Sequence, residues 1–383
     1  MKVEIDVNHL REVSFGLKKA RVKNGTLEIL SHVFIQANGG LNLWTTDLDT
    51  YVRACPKGYI HQPGSVAIRF DELDKVLRKI NKHGGKLLIE ADEDWVQLTH
   101  PKIEFRMANR VNDFPQRPKR PRSSVKLNEE FRKELANGSK FISSDDARQN
   151  LQGVNFLNRN GDLILQASDG QRASSWAFPG EAFEIPSNVS TSSKHAEGEA
   201  VLAWGEAVQT AAYIMDRRRT KGNYARLGFT SDGDHLMLKF GCYEVYSRIM
   251  SNETYPDLTM VMPAFNHRDQ PSMNRKRLLE AVNLVSIFAS PKTRTVRFHY
   301  RGEDVELSAS DPDRGEGASE FPVAPGVDKR SMKAGFNYGY LVDAVKLLDS
   351  DEVGFYIVDA LSPFVMWAQG RPEYEVMVMP MRL

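Results

Sequence analysis

Leu41-Asn42-Leu43-Trp44-Thr45-Thr46-Asp47 returns twice along this 383-residue chain, as Leu163-Ile164-Leu165-Gln166-Ala167-Ser168-Asp169 and as Val305-Glu306-Leu307-Ser308-Ala309-Ser310-Asp311. Each is an apolar strand ending in a small or hydroxylated pair and an aspartate. A turn precedes each one, carrying Gly39-Gly40, Asn160-Gly161 and Gly302-Glu303-Asp304. Glycine and asparagine tolerate the positive φ of tight hairpins, so these are hairpin signals with a mechanism. A second marker closes each copy, an apolar or aromatic residue before proline: Phe114-Pro115, Tyr255-Pro256 and Met379-Pro380. Three copies of about 120–140 residues therefore fill the chain.

Each copy also carries two helical stretches. They are Asn8–Ala20 and Phe70–Lys82, then Asn128–Ala136 and Trp204–Arg219, then Arg275–Ala289 and Tyr338–Leu348. Leu73, Val76, Leu77 and Ile80, like Leu341, Val345 and Leu348, recur at the spacing of one helix face. Lys86–Ala91, Trp95–His100, His235–Phe240 and Val353–Val358 read as strands. The expected fold class is α+β: three copies of one domain, each with two helices packed on antiparallel sheets. Strands and helices alternate too loosely for a parallel doubly wound sheet. The expected domains are 1–120, 121–264 and 265–383, joined at the basic, proline-rich Gln116–Lys126 and the polar Ala264–Asn274. Gly180–Ala200 and Pro312–Met332 read as inserted loops.

Composition limits the function classes. Lys and Arg number 51 against 50 Asp and Glu, a net charge of +1, which excludes a uniformly basic nucleic-acid binder but not one with its charges on separate faces. Cys55 and Cys242 lie far apart in sequence, which favours a reducing compartment and two inert thiols over a disulfide framework. Lys2, Glu4, Asp6 and Arg11 interrupt any signal-peptide pattern, and no stretch approaches the roughly 18 apolar residues of a membrane span. A cytoplasmic protein without a membrane partner is expected. The nine histidines never join acids or cysteines at metal-ligand spacing, and no phosphate-binding or dinucleotide glycine motif occurs. The expectation is a protein with no catalytic residues, no metal and no cofactor.

Two features point to surfaces. Basic residues crowd the helices: Lys18, Lys19, Arg21 and Lys23; Lys75, Arg78, Lys79 and Lys82; Arg132 and Lys133; Arg217, Arg218, Arg219 and Lys221; Arg275, Lys276 and Arg277; and Lys346. Many lie in last turns, with Asp71, Glu72, Glu129 and Glu130 in first turns, so compensation of helix dipoles is an equal explanation. Arg275–Arg277 resists it, because three cations at a helix start are unfavourable. The second feature is the ending Met377-Val378-Met379-Pro380-Met381-Arg382-Leu383. Chain ends are usually polar and frayed. An apolar end is either a core strand, with Met377, Met379 and Met381 on one face, or a surface that something covers; Val378 and Leu383 favour the second.

The same ending resembles that of the bacterial DNA polymerase III β subunit, the replication sliding clamp. The likeness extends along the chain. Thr26-Leu27-Glu28-Ile29-Leu30 and Thr46-Asp47-Leu48-Asp49 resemble family segments, as do Asp145–Gly153, Ala167-Ser168-Asp169-Gly170-Gln171-Arg172, Tyr255-Pro256-Asp257 and Gly335-Phe336-Asn337-Tyr338-Gly339-Tyr340. The resemblance implies three DNA-clamp domains per chain and a homodimer that closes head to tail into a ring around duplex DNA. It implies sequence-independent contact of basic helices with phosphate, through Lys19, Arg21, Lys23, Lys75, Arg78, Lys79, Arg132, Lys133, Arg148, Arg217, Arg218, Arg219, Arg275, Lys276 and Arg277. It implies a groove for short peptides of DNA polymerase, clamp loader and other proteins. The matching positions are Leu151, Ser168, Gly170, Arg172, Pro256, Val261 and Met377 to Leu383 (Met377, Val378, Met379, Pro380, Met381, Arg382, Leu383), with Asn337 and Tyr340 at a second subsite. Dimer contacts are expected from Phe105 and Met107 against Ile287 and Phe288. Gln171, Ala173, Met260 and Pro363 depart from the family pattern, which implies altered partner preference. The alternative is a clamp-fold interaction scaffold, or a plasmid- or phage-borne variant that sequesters clamp partners.

Overall fold

The computed structural model describes residues 1–80, 84–101, 103–191, 193–195, 198–217, 224–262, 265–327 and 331–382. Among them lie six α-helices: α1 Val7–Leu17, α2 Phe70–Ile80, α3 Glu129–Gly138, α4 Gly205–Arg217, α5 Arg275–Val285 and α6 Tyr338–Leu347. All six match an expected helix. Two stop early: α1 ends when the Lys18 amide bonds back to Ser14 and Gly16, and α5 gives way to a 3₁₀ turn at Ser286–Phe288.

The chain forms two compact units. The first comprises Met1–Ala136, Phe183–Thr191 and Ala203–Ser251; the second comprises Asn137–Ala182, Ser192–Leu202 and Asn252–Leu383. The first holds a five-stranded and an eight-stranded sheet, the second a nine-stranded and a four-stranded one. The large sheets explain why there are two units and three sequence copies. In the first unit Thr50–Ala54, from copy one, pairs antiparallel with Tyr243–Arg248, from copy two. In the second unit Arg172–Phe178, from copy two, pairs antiparallel with Arg371–Val378, from copy three. Backbone ladders thus cross the copy boundaries, and copy two gives strands to both sheets.

Helices cover one face of these ladders. α1 and α4 pack on Thr50–Ala54 and Tyr243–Arg248, and α6 packs on Arg371–Val378. The α1 contact is close because Gly16 has no side chain; a Cβ there would stand 2.5 Å from Tyr243 Cε1. The Tyr243 hydroxyl donates to the Glu12 and Val13 carbonyls of the same helix, at 3.1 and 3.2 Å.

The repeated aspartates are structural. Asp47 Oδ1 accepts from the Asp49 and Thr50 amides, Asp169 Oδ1 from Gln171 and Arg172, and Asp311 Oδ1 from Asp313. Each closes the turn that follows its strand, and Thr46 and Ser168 reinforce it by accepting from Leu48 and Gly170. The preceding turns carry the expected positive φ at Gly39, Asn160, Gly161 and Gly302.

Three expectations need correction. The join Gln116–Lys126 is not all linker, because Pro121–Leu127 is the outer strand of the eight-stranded sheet. The Pro312–Met332 insertion is not a plain loop: Gly315–Pro322 pairs with Asp304–Asp311 as a hairpin, turned at Gly315 with φ 91°. Its small and charged residues concealed a strand that is exposed at the edge. Lastly, the Gly180–Ala200 insertion is not all loop, since Ser193–His195 pairs antiparallel with Gly198–Trp204. Cys55 and Cys242, far apart in sequence, meet in the fold, where the Cys55 amide bonds to the Cys242 carbonyl at 2.8 Å.

Burial pushes the Asp47 carboxyl up to about 6, against the amide hydrogen bonds it accepts. A carboxyl whose folded pKa exceeds its unfolded value of about 3.9 binds its proton first in the folded state, so stability falls as pH rises from about 4 to about 6. Asp47→Asn keeps the acceptor oxygen and removes the charge. It is expected to stabilise by about 1–3 kcal/mol above pH 7 and to be neutral below pH 4, read from urea midpoints. A pH-independent effect would rule out this origin.

Candidate functional site

The tail of the second unit is part strand and part surface. Met377 and Val378 finish the strand, paired with Ala173 and Arg172 on one side and with Val365 and Phe364 on the other. They are 3% and 0% exposed, so they support a surface and do not line it, contrary to the expectation for both. The chain then leaves the sheet. Met379 N–H donates to the Gln171 carbonyl at 2.7 Å, and Met381 N–H donates to Gly335 at 2.8 Å. Between these anchors Met379, Pro380 and Met381 are half-exposed, and Arg382 is exposed. Leu383 lies outside the described residues.

Three further segments are linked in series to this tail, the first of them through Gln171. Gly170, at φ 84°, sits where a Cβ would be 2.5 Å from an Arg148 nitrogen and 3.7 Å from Leu151 Cδ1. Asn150 donates to the Thr254 carbonyl at 3.1 Å, tying the Asp146–Leu151 turn to the segment that carries Pro256 and Val261. There Val261 is 49% and Met260 83% exposed, apolar surface open to solvent. Ser168 Oγ accepts from Gly170 N–H and donates to the Arg172 carbonyl, both at 3.1 Å. Hydrogen bonds and one close approach therefore link the four segments that carry the expected groove residues.

Arg172 is the hub. Its Nε donates to Asp169 Oδ2 at 2.9 Å and its NH1 to Asp343 Oδ2 at 2.5 Å. Its guanidinium lies over the Phe141 and Tyr340 rings at 4.7 and 4.8 Å. Burial works against the charged form, but the two carboxylates outweigh it and hold the pKa above its usual value. Tyr340 follows Asn337, whose side chain caps α6 by accepting from the Gly339 and Tyr340 amides. Asp343, Phe141 and Arg148 escaped the reading of the sequence as groove residues. Arg148, expected among the DNA-facing cations, lies beside Gly170, with Asp145 Oδ2 3.6 Å from its Nε. Only its place in the Asp145–Gly153 stretch could have signalled this.

The basic helices sort into two kinds. Arg21 is closed off against Asp71 at 2.7 Å with a side chain 8% exposed, and Arg132 is 11% exposed beside Glu129. Neither presents a free cation, which corrects both expectations. Arg275 answers the puzzle of three cations at a helix start. Its Nε and NH2 donate to the Val345 and Lys346 carbonyls at 3.1 and 3.3 Å, so it caps the negative end of α6. Lys19, Lys23, Lys75, Arg78, Lys79, Lys133, Arg217, Lys276 and Arg277 are exposed. Lys19 and Arg217 come together in the first unit, over the stacked Phe15 and Tyr213 rings. Arg218, Arg219 and Lys221 lie outside the described residues. For the expected dimer contacts, Phe105 and Met107 are half-buried on Ile103–Ala108, the edge strand of the five-stranded sheet. In the second unit Ile287 is 60% exposed, and Phe288 packs against Gly317.

Residues 259–382 match the family model of the DNA polymerase III beta subunit, C-terminal domain. A beta sliding clamp of Staphylococcus aureus is 25% identical over 328 residues, 84% of this chain and 81% of that one. The beta sliding clamp of Bacillus subtilis is 22% identical over all of both chains. The chain is similar to beta sliding clamps along its length, and its last third matches the DNA polymerase III beta subunit model. The fold agrees with solved β subunits over the whole chain: Pseudomonas aeruginosa at TM-score 0.85 and 20% identity, and Thermotoga maritima at 0.83 and 21%, with 100% and 99% of those chains covered. A further Pseudomonas aeruginosa structure, at TM-score 0.84, has griselimycin bound. The fold class is thus that of the β subunits, helices on antiparallel sheets.

Capping by Arg275 gives a stability test. Arg275→Ala is expected to cost about 1–2 kcal/mol by uncapping α6, while Lys276→Ala and Arg277→Ala stay within about 0.5 kcal/mol. Equal effects of all three on a urea midpoint would contradict the capping role.

Proposed function

We propose that this chain is a DNA sliding clamp without catalytic activity of its own. Two copies join head to tail, first domain to third, with domains at 1–120, 121–264 and 265–383. Six domains then enclose duplex DNA in the cytoplasm, at the nucleoid. Closed heterologous contacts make a ring. Exposed cations on α1 to α5 suit phosphate contact that reads no bases, weak enough individually to exchange as the ring slides.

The observation that carries the tethering role is the Met379-Pro380-Met381 surface. Apolar side chains held half-exposed by two backbone anchors suit the apolar residues of a short partner peptide. Methionine repacks readily and accepts several partners. Those partners are DNA polymerase, a clamp loader and other proteins with short clamp-binding peptides. Binding by a solved relative of griselimycin supports a ligand-accepting surface on this fold. Met260, exposed where the family often has a basic residue, favours a shifted peptide preference.

The test is a fluorescent-peptide titration beside a sizing column. The peptide carries a glutamine and a terminal pair of large apolar residues. Met379→Ala and Met381→Ala are each expected to weaken binding by about 1–2 kcal/mol through lost apolar burial. Removing residues 379–383 abolishes binding and leaves dimerisation intact. Unchanged binding in the truncated chain would show that the tail is no groove. Ile287→Asp, by contrast, is expected to give monomers that still bind peptide. A wild type that stays monomeric at micromolar concentration would exclude the ring and favour an interaction scaffold that sequesters partners.

A further inference from the structure

We propose that Cys55 and Cys242 form a reversible redox staple across the ladder that joins the first and second sequence copies. This is independent of the clamp reading. Nothing in the sequence order suggests it, because 186 other residues intervene between the two cysteines.

The geometry comes from the register of the first unit. Tyr243 opposes Ala54 and Glu244 opposes Arg53. One step beyond the last paired row, the Cys55 amide donates at 2.8 Å to the carbonyl of Cys242, a residue of the turn between Phe240 and Tyr243. The cysteines therefore meet backbone to backbone where the ladder ends at the turn of Gly241, φ 53°. An amide bonded to a carbonyl across two chain segments, as in the hydrogen-bonded pairs of an antiparallel ladder, brings the two Cα atoms to about 5.5 Å. That separation lies within the roughly 4.4–6.8 Å that a disulfide spans.

Arg53 stands two residues before Cys55 and Glu244 two after Cys242, so alternation along the chain directs all four to one sheet face. The next row on this face shows it directly, since Arg53 NH1 reaches Glu244 Oε2 at 2.5 Å. Cys55 belongs to the same network: its thiol donates to Asn42 Oδ1 at 3.4 Å, and Arg53 donates to that oxygen too. Both side chains are thiols, and both are intermediate in exposure, so a small reagent can reach them. Burial pushes the Cys55 thiol's pKa up, a shift that Arg53 opposes, so Cys55 is a slow nucleophile near neutral pH.

The oxidant is a low-molecular-weight disulfide. One cysteine thiolate attacks it, forming a mixed disulfide and releasing one small thiolate. The second cysteine thiolate then attacks the protein sulfur of that mixed disulfide. The Cys55–Cys242 bond forms and a second small thiolate leaves. The two cysteine protons end on the two small thiols, so one small disulfide is reduced as one protein disulfide is made. The product ties the Thr50–Ala54 strand of copy one to the Phe240–Tyr243 turn of copy two. It closes a loop of nearly 190 residues, and long loops constrain the unfolded chain most.

The full chain is incubated folded with oxidised glutathione at about pH 8, quenched with N-ethylmaleimide and measured by intact mass and peptide mapping. The expected product has lost two hydrogens, joins the Cys55 and Cys242 peptides of one chain, and returns to two thiols with dithiothreitol. Its Tm is expected to rise by several degrees relative to the reduced form. Cys55→Ser and Cys242→Ser, each with one thiol, are expected to show no such oxidant-dependent rise. Glutathione adducts on both cysteines without a link, a link only between chains, or two unreacted thiols would each overturn the proposal.

Discussion

The antiparallel ladder between Arg172–Phe178 and Arg371–Val378 is the constraint on which the candidate groove depends. It buries Met377 and Val378 completely, which fixes where the tail must leave the sheet. It also brings Asp169, Gly170 and Gln171 to the point of departure. Gln171 then supplies the carbonyl that anchors Met379. Arg172, the first residue of that strand, ties the site to α6 through Asp343 and Tyr340. A slip of one residue would turn every side chain of the strand to the other face. Core packing and groove geometry therefore rest on one register. The corresponding ladder of the first unit, Thr50–Ala54 with Tyr243–Arg248, plays the same part for α1 and α4, and it sets Cys55 against Cys242.

Charge is divided between support and display. Arg53 with Glu244, Arg21 with Asp71 and Arg275 on the α6 carbonyls spend their cations inside the fold. Lys19, Lys23, Lys75, Lys79, Lys133, Arg217 and Arg277 keep theirs at the surface. A net charge of +1 conceals this sorting, because it counts both kinds alike. It also explains how a near-neutral chain can display exposed cations on and beside its helices.

Local signals carried most of the fold. Helix periodicity placed all six helices, and glycine or asparagine before each repeated strand placed the turns, since both depend on neighbouring residues alone. The edge hairpin at Gly315–Pro322 was hidden because its exposed strand has no apolar alternation to read. The candidate groove was legible where it lies in continuous motifs, such as Ser168-Asp169-Gly170 and the tail. It was not legible where pairing between distant strands makes it: Asp343, Phe141 and Arg148 reach the site only through the fold. The same limit made Cys55 and Cys242 look remote, and made Arg275 look like a surface cation.

Retention on DNA of different topology probes ring closure most directly. Protein placed on nicked circular DNA by a loader ATPase is passed through a sizing column in high salt, before and after one cut linearises the circle. A closed ring stays with the circle and is lost from the linear form, because topology and not affinity holds it. Equal loss from both forms, or retention on the linear DNA that falls with salt alone, would contradict encirclement.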